Sequence, residues 1–149
     1  MPRAPQELRT YFITTVTANR RRLFQVEQNA NLFLEVLLDQ RTKNRLQLHA
    51  FVVMPDHAHL LLTPSPNTSL EKAMQYIKGN FSFRLKSKVD VWERSYDSRR
   101  ITDANDHATH ITYIHQNPTR ANLVSDPNRY PHSTTNPNHT ADNSPIHFS

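Results

Sequence analysis

Four side chains of this sequence have types and spacings suited to chemistry: His57 and His59, separated by one residue, and Tyr113 and Asn117, four apart. Residues two apart on a strand point to the same face, with Cβ atoms roughly 6–7 Å apart, so two imidazoles so placed can converge on one ion. Residues i and i+4 of a helix lie one above the other, so a phenol and a carboxamide oxygen can address one site. A tyrosine hydroxyl, with a reference pKa of about 10, is a poor nucleophile unless its target is strongly polarised. A divalent ion held by two imidazoles and an amide oxygen keeps coordination positions open, one of which a phosphodiester oxygen can fill while charge develops in the transition state. Attack by Tyr113 would join the cleaved strand to the protein as a phosphotyrosine. That ester can be displaced by a second hydroxyl without ATP. Imidazole with hard oxygen donors admits Mg, Mn or Zn, and a phosphate substrate with open positions favours Mg or Mn. Each half also has a plainer account: two exposed strand histidines, and a surface tyrosine with an asparagine closing its helix before Pro118.

The elements that must carry these residues are readable from periodicity. Tyr11 to Thr17 is β-branched and aromatic and reads as a first strand. Leu32, Phe33, Val36 and Leu37 recur at helical spacing and predict an amphipathic helix from Asn29 to about Lys43. Leu46, Leu48, Ala50, Val52 and Met54 alternate with Gln47 and His49, and a second extended run, His57 to Thr63, follows after Pro55-Asp56, so a hairpin is expected. On its second strand Ala58, Leu60 and Leu62 take the face opposite the histidines. Thr68-Ser69-Leu70-Glu71 has the form of a capping box, opening a second helix whose stripe is Leu70, Ala73, Met74, Ile77 and Phe81.

A fourth strand is expected around Arg99 to Thr102, then a helix capped by Asp103 and ending near Asn117, because Pro118 disfavours helix in the residue before it. Its predicted core side is Ala104, Ala108, Ile111 and Ile114; Asp106, His110, Tyr113 and Asn117 fall on the polar side. His115 reads as a packed structural histidine. The order βαββαβ predicts a ferredoxin-like α+β sandwich, an antiparallel sheet with helices on one face, followed by the helix carrying Tyr113. Residues 1–124 form the expected catalytic domain. From Ser125 to residue 149 the composition turns to Ser, Thr, Asn, Pro and His, and an extended or partly disordered tail is expected.

Bulk properties set the class of partner. Over 149 residues, 18 Lys and Arg against 13 Asp and Glu leave a formal charge of +5 and a pI near 9.8, an excess that draws a protein toward polyanions. Lys78, Arg84, Lys86, Arg99 and Arg100 are candidate phosphate contacts, with Lys72, Lys88 and Arg94 nearby; a solvated charged face is an equal account of any one of them. Tyr96 and Trp92 can stack on unpaired bases, although Trp92 fits better as a core anchor. The absence of cysteine excludes disulfides, thiolate nucleophiles and Cys-based zinc sites. No apolar run approaches the roughly 20 residues that span a bilayer, so a cytoplasmic protein with no membrane partner is expected.

Four stretches carry a likeness: VVMPDHAHLLLTP (52–64), SLEKAMQYIKGNFSFRLK (69–86), VWERSYDSRRITD (91–103) and YIHQNPTRANLV (113–124). In this order and spacing the sequence resembles the REP-associated tyrosine transposases, relatives of single-strand insertion-sequence transposases in the HUH nuclease superfamily, from about Tyr11 to Tyr130-Pro131-His132-Ser133. The resemblance implies a ferredoxin-like core, cleavage of single-stranded DNA at a folded repeat hairpin, and a 5′-phosphotyrosine intermediate. It matches His57 and His59 to the histidine pair, Tyr113 to the catalytic tyrosine and Asn117 to the position completing the metal site. The family commonly reads NPVRAGLV where this chain has Asn117 to Val124 with Asn122 in the glycine position, and asparagine tolerates the left-handed conformation glycine would adopt there. Two alternatives stand beside a transposase: a non-catalytic hairpin-binding module, and a metal phosphodiesterase using activated water with Tyr113 only positioning substrate. A monomer with Tyr113 acting in cis and a homodimer with it acting in trans are both compatible with the sequence.

Overall fold

The apolar periodicities resolve into seven main elements in a computed structural model that describes residues 8–139, 141–145 and 148. In chain order these are β1 (Thr10–Val16), α1 (Glu27–Thr42), β2 (Leu46–Met54), β3 (His57–Pro64), α2 (Leu70–Leu85), β4 (Asp97–Ile101) and α3 (Ala104–Arg120). The four strands form one sheet in the order β2-β3-β1-β4, with every neighbouring pair antiparallel. This is the ferredoxin-like α+β arrangement expected from the sequence.

One face of the sheet carries α1 and α2. Ile13, Phe51, Val53, Ala58, Leu60 and Leu62 meet Phe33, Val36 and Leu37 of α1 and Met74, Ile77 and Phe81 of α2 in a single cluster. Trp92 closes it as an anchor, its ring against Phe24, Phe33 and Phe81 and its indole N–H donating to the Lys78 carbonyl at 3.2 Å. Each fully buried Leu or Phe here contributes about 1.5–3 kcal/mol relative to exposure. The other face is covered by α3: Ile114, with Ile111 at its edge, packs on Ala50, Val52, Met54, Leu61, Ile101 and Phe12. The two helices of the sandwich, α1 and α2, thus share one face as expected, and the additional helix α3 covers the other. β3 is buried from both sides, which explains its near-continuous apolar run.

Several local features differ from the periodic reading. Leu48 pairs with Leu62 and Ala50 with Leu61, so His49 is an extra residue, a β-bulge. Leu46 and Leu48 consequently face α1 and α2, whereas Ala50, Val52 and Met54 face α3. The α2 cap is Ser69, whose hydroxyl accepts from the Lys72 N–H at 3.1 Å, and the Thr68 to Glu71 box does not form. Asp103 caps α3 as expected, accepting from the Asp106 N–H at 2.7 Å. That helix runs through Pro118 to Arg120, because so near the end a proline forfeits only one backbone bond and its ring is buried. The buried stripe of α3 is His107, Ile114 and Pro118, with Ile111 partly covered; Ala104 and Ala108 are exposed. Asn122 then takes φ +60°, the left-handed conformation expected of it.

The segment after Ser125 lies along the free edge of β2. Val53 N–H donates to the His132 carbonyl at 2.8 Å, Thr134 N–H to the Phe51 carbonyl at 3.1 Å, and Asp142 N–H to the Leu48 carbonyl at 2.7 Å. The Asp142 carboxylate receives two Arg41 N–H groups at 2.8 and 2.9 Å, while Tyr130 donates its hydroxyl to the Val53 carbonyl at 2.6 Å. A polar segment with no core of its own thus caps an otherwise unpaired edge.

Candidate active site

The hairpin places the histidine pair. In the ladder His57 lies opposite Val16 and Met54, and His59 opposite Thr14 and Val52, so both side chains project from the face that α3 covers. Their rings stand 4.9 Å apart, centroid to centroid. Each has its Nδ1 tied to oxygen: His57 to the Asp56 carboxylate at 2.7 Å and His59 to the Thr14 hydroxyl at 2.9 Å. A carboxylate can only accept, so Nδ1 of His57 carries the proton of that bond, and the Thr14 hydroxyl can accept from Nδ1 of His59 in the same way. Burial of Asp56 would raise its pKa, but the hydrogen bonds and charges of His57 and Arg20 outweigh this and hold it below the usual carboxylate value. Burial, reinforced by the charge of His57, pushes His59 down to about 3, so His59 stays neutral at any working pH.

Tyr113 arrives from α3 onto the same spot. Its ring meets His59 edge-on at 5.5 Å, and both rest on Phe12, which stacks on His59 at 5.2 Å and meets Tyr113 at 5.9 Å. His110 packs on Phe12 at 4.8 Å with its Nδ1 held by the Asp106 carbonyl at 2.8 Å. Tyr113 keeps 39% of its surface exposed, so substrate can reach it, and the Arg120 guanidinium lies 5.8 Å from its ring. Asn117 lies one helical turn beyond Tyr113 and is half-buried.

Among the described residues no group of three or more His, Cys, Asp or Glu side chains gathers as a metal cluster. A divalent ion at the His57 and His59 imidazoles would therefore draw its other ligands from an amide oxygen, water or substrate. Two imidazoles with oxygen partners on Nδ1 suit such a role.

The five basic candidates do not form one patch. Arg99 lies opposite Phe12 on the histidine face, 3.9 Å from the Asp106 carboxylate, whereas Arg100 lies opposite Tyr11 on the face of α1 and α2. Arg84 is paired with Asp39 at 2.8 Å, and Lys86 is the left-handed residue that ends α2. Lys78 donates to the Glu93 carbonyl at 3.1 Å beside the rings of Trp92 and Tyr96, and burial lowers its pKa. Closer to the histidines are cations that charge counting passed over. Arg22 lines a cleft of about 240 Å³ with Asp56, His57 and Leu123, Arg20 reaches Asp56 at 3.4 Å, and Arg120 flanks Tyr113. In sequence Asp56 reads only as part of the turn, although its adjacency to His57 is the signal that could have paired them; Thr14 and Phe12 lie on another strand and give no such signal.

Comparison with known proteins agrees with this fold. The family model described as transposase IS200-like matches residues 6–117, a span holding both histidines, Tyr113 and Asn117. A protein of Haemophilus influenzae classed with the REP-associated tyrosine transposases is 24% identical over 138 residues, covering 83% of this chain and 78% of its own. A REP-associated tyrosine transposase solved bound to a REP hairpin shares the fold with a TM-score of 0.76 at 24% identity, covering 90% of this chain and 81% of that one. A transposase-like protein from Deinococcus radiodurans R1 superposes with a TM-score of 0.57 at 27% identity, covering 76% of this chain and 94% of that one. With the fold, the paired histidines and the apposed tyrosine all inside the matched span, the chain belongs to the IS200-like transposase family.

Proposed function

We propose that this transposase is a metal-dependent single-stranded DNA endonuclease and strand transferase that acts at repeat hairpins, with Tyr113 as nucleophile. The observation that carries the reading is the contact of Tyr113 with His59 inside one chain, at 5.5 Å between rings. A tyrosine needed only for packing would have no reason to sit half-exposed over an oriented imidazole pair. The REP-associated relative solved with a REP hairpin supports hairpin DNA as the substrate class.

His57 and His59, with Asn117 as the third protein ligand, would hold Mg or Mn, which when bound supplies charge stabilisation at the phosphate undergoing attack. Asp56 and Thr14 engage Nδ1 of the two imidazoles, which leaves Nε2 of each as the nitrogen that would serve the ion. The Tyr113 oxygen forms a bond to phosphorus as its proton departs. The 3′-oxygen of the upstream strand leaves and takes up a proton. The products are a 5′-phosphotyrosine and a free 3′-hydroxyl, and attack by a hydroxyl on the phosphotyrosine reverses the sequence and joins strands. Arg99 and Arg120 on the same face are suited to the flanking phosphates. Lys78, Arg84, Lys86 and Arg100 would meet DNA only where it passes the other helical face. With His57, His59 and Tyr113 meeting within one chain, the reading has Tyr113 act in cis, for which a monomer suffices. Work on DNA places the protein in the cytoplasm.

Incubation with labelled hairpin oligonucleotides from repeats flanking the gene, with Mn, Mg or EDTA, tests this on a denaturing gel. Metal-dependent cleavage that disappears in Tyr113→Phe and in His57→Ala/His59→Ala supports it. Cleavage that persists in Tyr113→Phe identifies a water-using phosphodiesterase, and tight binding without cleavage under any metal identifies a binding module.

A further inference from the structure

Cleavage by Tyr113 requires its phenol proton to go somewhere, and the groups already assigned do not take it: both hairpin imidazoles serve the ion, and Asp56 is engaged by His57 and Arg20. A third imidazole, His110, stands one turn before the tyrosine on α3 and packs on the same ring of Phe12, at 4.8 Å against 5.9 Å for Tyr113. Residues three apart on a helix are neighbours, with Cβ atoms about 5–6 Å apart. Phe12 thus gathers His59, His110 and Tyr113 around one aromatic ring.

Asp106 orients this imidazole. The Nδ1 of His110 donates to the Asp106 carbonyl at 2.8 Å and lies 3.2 Å from the carboxylate of the same residue. Carbonyl and carboxylate oxygens only accept, so Nδ1 carries the proton of this contact and Nε2 is the nitrogen left for proton transfer. Asp106 is itself pinned, its carboxylate accepting from the Thr102 N–H at 3.4 Å and lying 3.9 Å from the Arg99 guanidinium. Among the described residues none bonds to Nε2 of His110, and the side chain keeps 12% of its surface exposed, so water or a bound strand can reach it. An apolar side chain would cover Phe12 equally well; what the imidazole adds is a nitrogen that takes up a proton and gives it back. A nucleophile beside a base that a third group orients is the arrangement that activates a hydroxyl.

We propose that His110 takes up the phenol proton of Tyr113 during strand cleavage, directly or through one water, with Asp106 as its positioning residue. This inference rests on the strand-transferase reading above and supplies the proton acceptor which that reading leaves unassigned. As the Tyr113 oxygen bonds to phosphorus its proton passes to Nε2, the bond from phosphorus to the 3′-oxygen breaks, and that oxygen takes a proton from water. In joining, an incoming hydroxyl bonds to phosphorus and gives its proton to water, the bond from phosphorus to the phenol oxygen breaks, and His110 returns the proton to the phenol.

Single-turnover cleavage of hairpin DNA from the repeats flanking the gene, at saturating Mn, tests this with His110→Ala and with His110→Gln, which keeps bulk on Phe12. Both variants should bind the hairpin within a few-fold of the parent, which shows that they fold, and should cleave on the order of 10²-fold more slowly. The loss should fall on the rate at saturating DNA and not on the DNA concentration that half-saturates it. Added imidazoles of similar size and graded basicity should raise cleavage by His110→Ala by about tenfold at best, in order of their basicity, after correction for their effect on the parent protein. Asp106→Asn should slow the parent by about tenfold and His110→Ala no further, because Asp106 acts through His110. Cleavage by His110→Gln at the parental rate, or a loss in His110→Ala that no imidazole relieves or that all relieve alike, overturns this inference alone. An equal further loss from Asp106→Asn in the His110→Ala background overturns the positioning role. Parent protein that does not cleave overturns the strand-transferase reading and this inference together.

Discussion

Tyr113 of α3 and His59 of β3 meet edge to face at 5.5 Å, from elements on opposite sides of the α2 and β4 crossover, and Phe12 of β1 lies beneath both. Three elements distant in sequence thus converge on one spot.

The first prediction concerns the nucleophile. Tyr113→Phe keeps the ring contacts with His59 and Phe12 and removes only the oxygen. Strand cleavage should fall by on the order of 10³-fold or more, while affinity for hairpin DNA, read by anisotropy, stays within a few-fold of the parent.

The second concerns the groups behind the histidines. Asp56→Asn replaces the carboxylate that fixes His57 at 2.7 Å. Loss of such an outer partner typically costs about 10–100-fold in metal affinity. A titration of cleavage rate against Mn should shift its midpoint upward by that factor, with the rate largely restored at saturating metal. An unchanged midpoint would show that Asp56 serves only the turn.

The third concerns which chain supplies the tyrosine. Because Tyr113 and His59 are apposed within one chain, Tyr113→Phe protein mixed with His57→Ala/His59→Ala protein should recover no cleavage. Recovery approaching a quarter to a half of parental activity would establish exchange of α3 between chains.

The fourth concerns acid stability of the segment on the β2 edge. His132 is 8% exposed, and burial, reinforced by His139 and opposed by Glu27, lowers its pKa below 6.5; burial likewise lowers His115. The folded state therefore disfavours protons that the unfolded chain accepts near 6.5. Stability is complete above that value and declines as pH falls through it, by at most about 1.4 kcal/mol per pH unit for each histidine. Asp56 and Asp142, held below the usual carboxylate range, titrate only in stronger acid. Melting temperature should drop between about pH 7.5 and about pH 5.5, and less steeply in His132→Gln. The neighbouring Tyr130→Phe, which removes the bond to the Val53 carbonyl, should cost about 1 kcal/mol irrespective of pH in this range.

What was legible in the sequence followed from local rules. The strand and helix order, the shared face of His57 and His59, the Asp103 cap and the left-handed Asn122 each depend on residues within a few positions of one another. What was not legible depended on partners distant in the chain. The bulge at His49 reverses the facing of Leu46 and Leu48, and alternation alone cannot show it, because β2 is buried on both faces. His107, not Ala104 or Ala108, fills the core stripe of α3, since an imidazole covered by the sheet and the C-terminal segment can stand where an apolar residue was expected. Pro118 reads as a helix terminator until its burial is seen. Thr14, Phe12 and Arg20 reach the site only through strand pairing and loop packing, and in sequence they resemble ordinary strand and surface residues.

The central claim is that DNA becomes bonded to Tyr113. It is tested most directly by trapping the reaction of hairpin DNA with Mn, digesting the protein and nucleic acid, and locating the nucleotide-bearing peptide by mass spectrometry. A 5′-linked nucleotide on the phenol oxygen of Tyr113 is the expected result. Cleaved DNA with no protein-linked nucleotide, or a nucleotide on Tyr11, Tyr76, Tyr96 or Tyr130 instead, would contradict it.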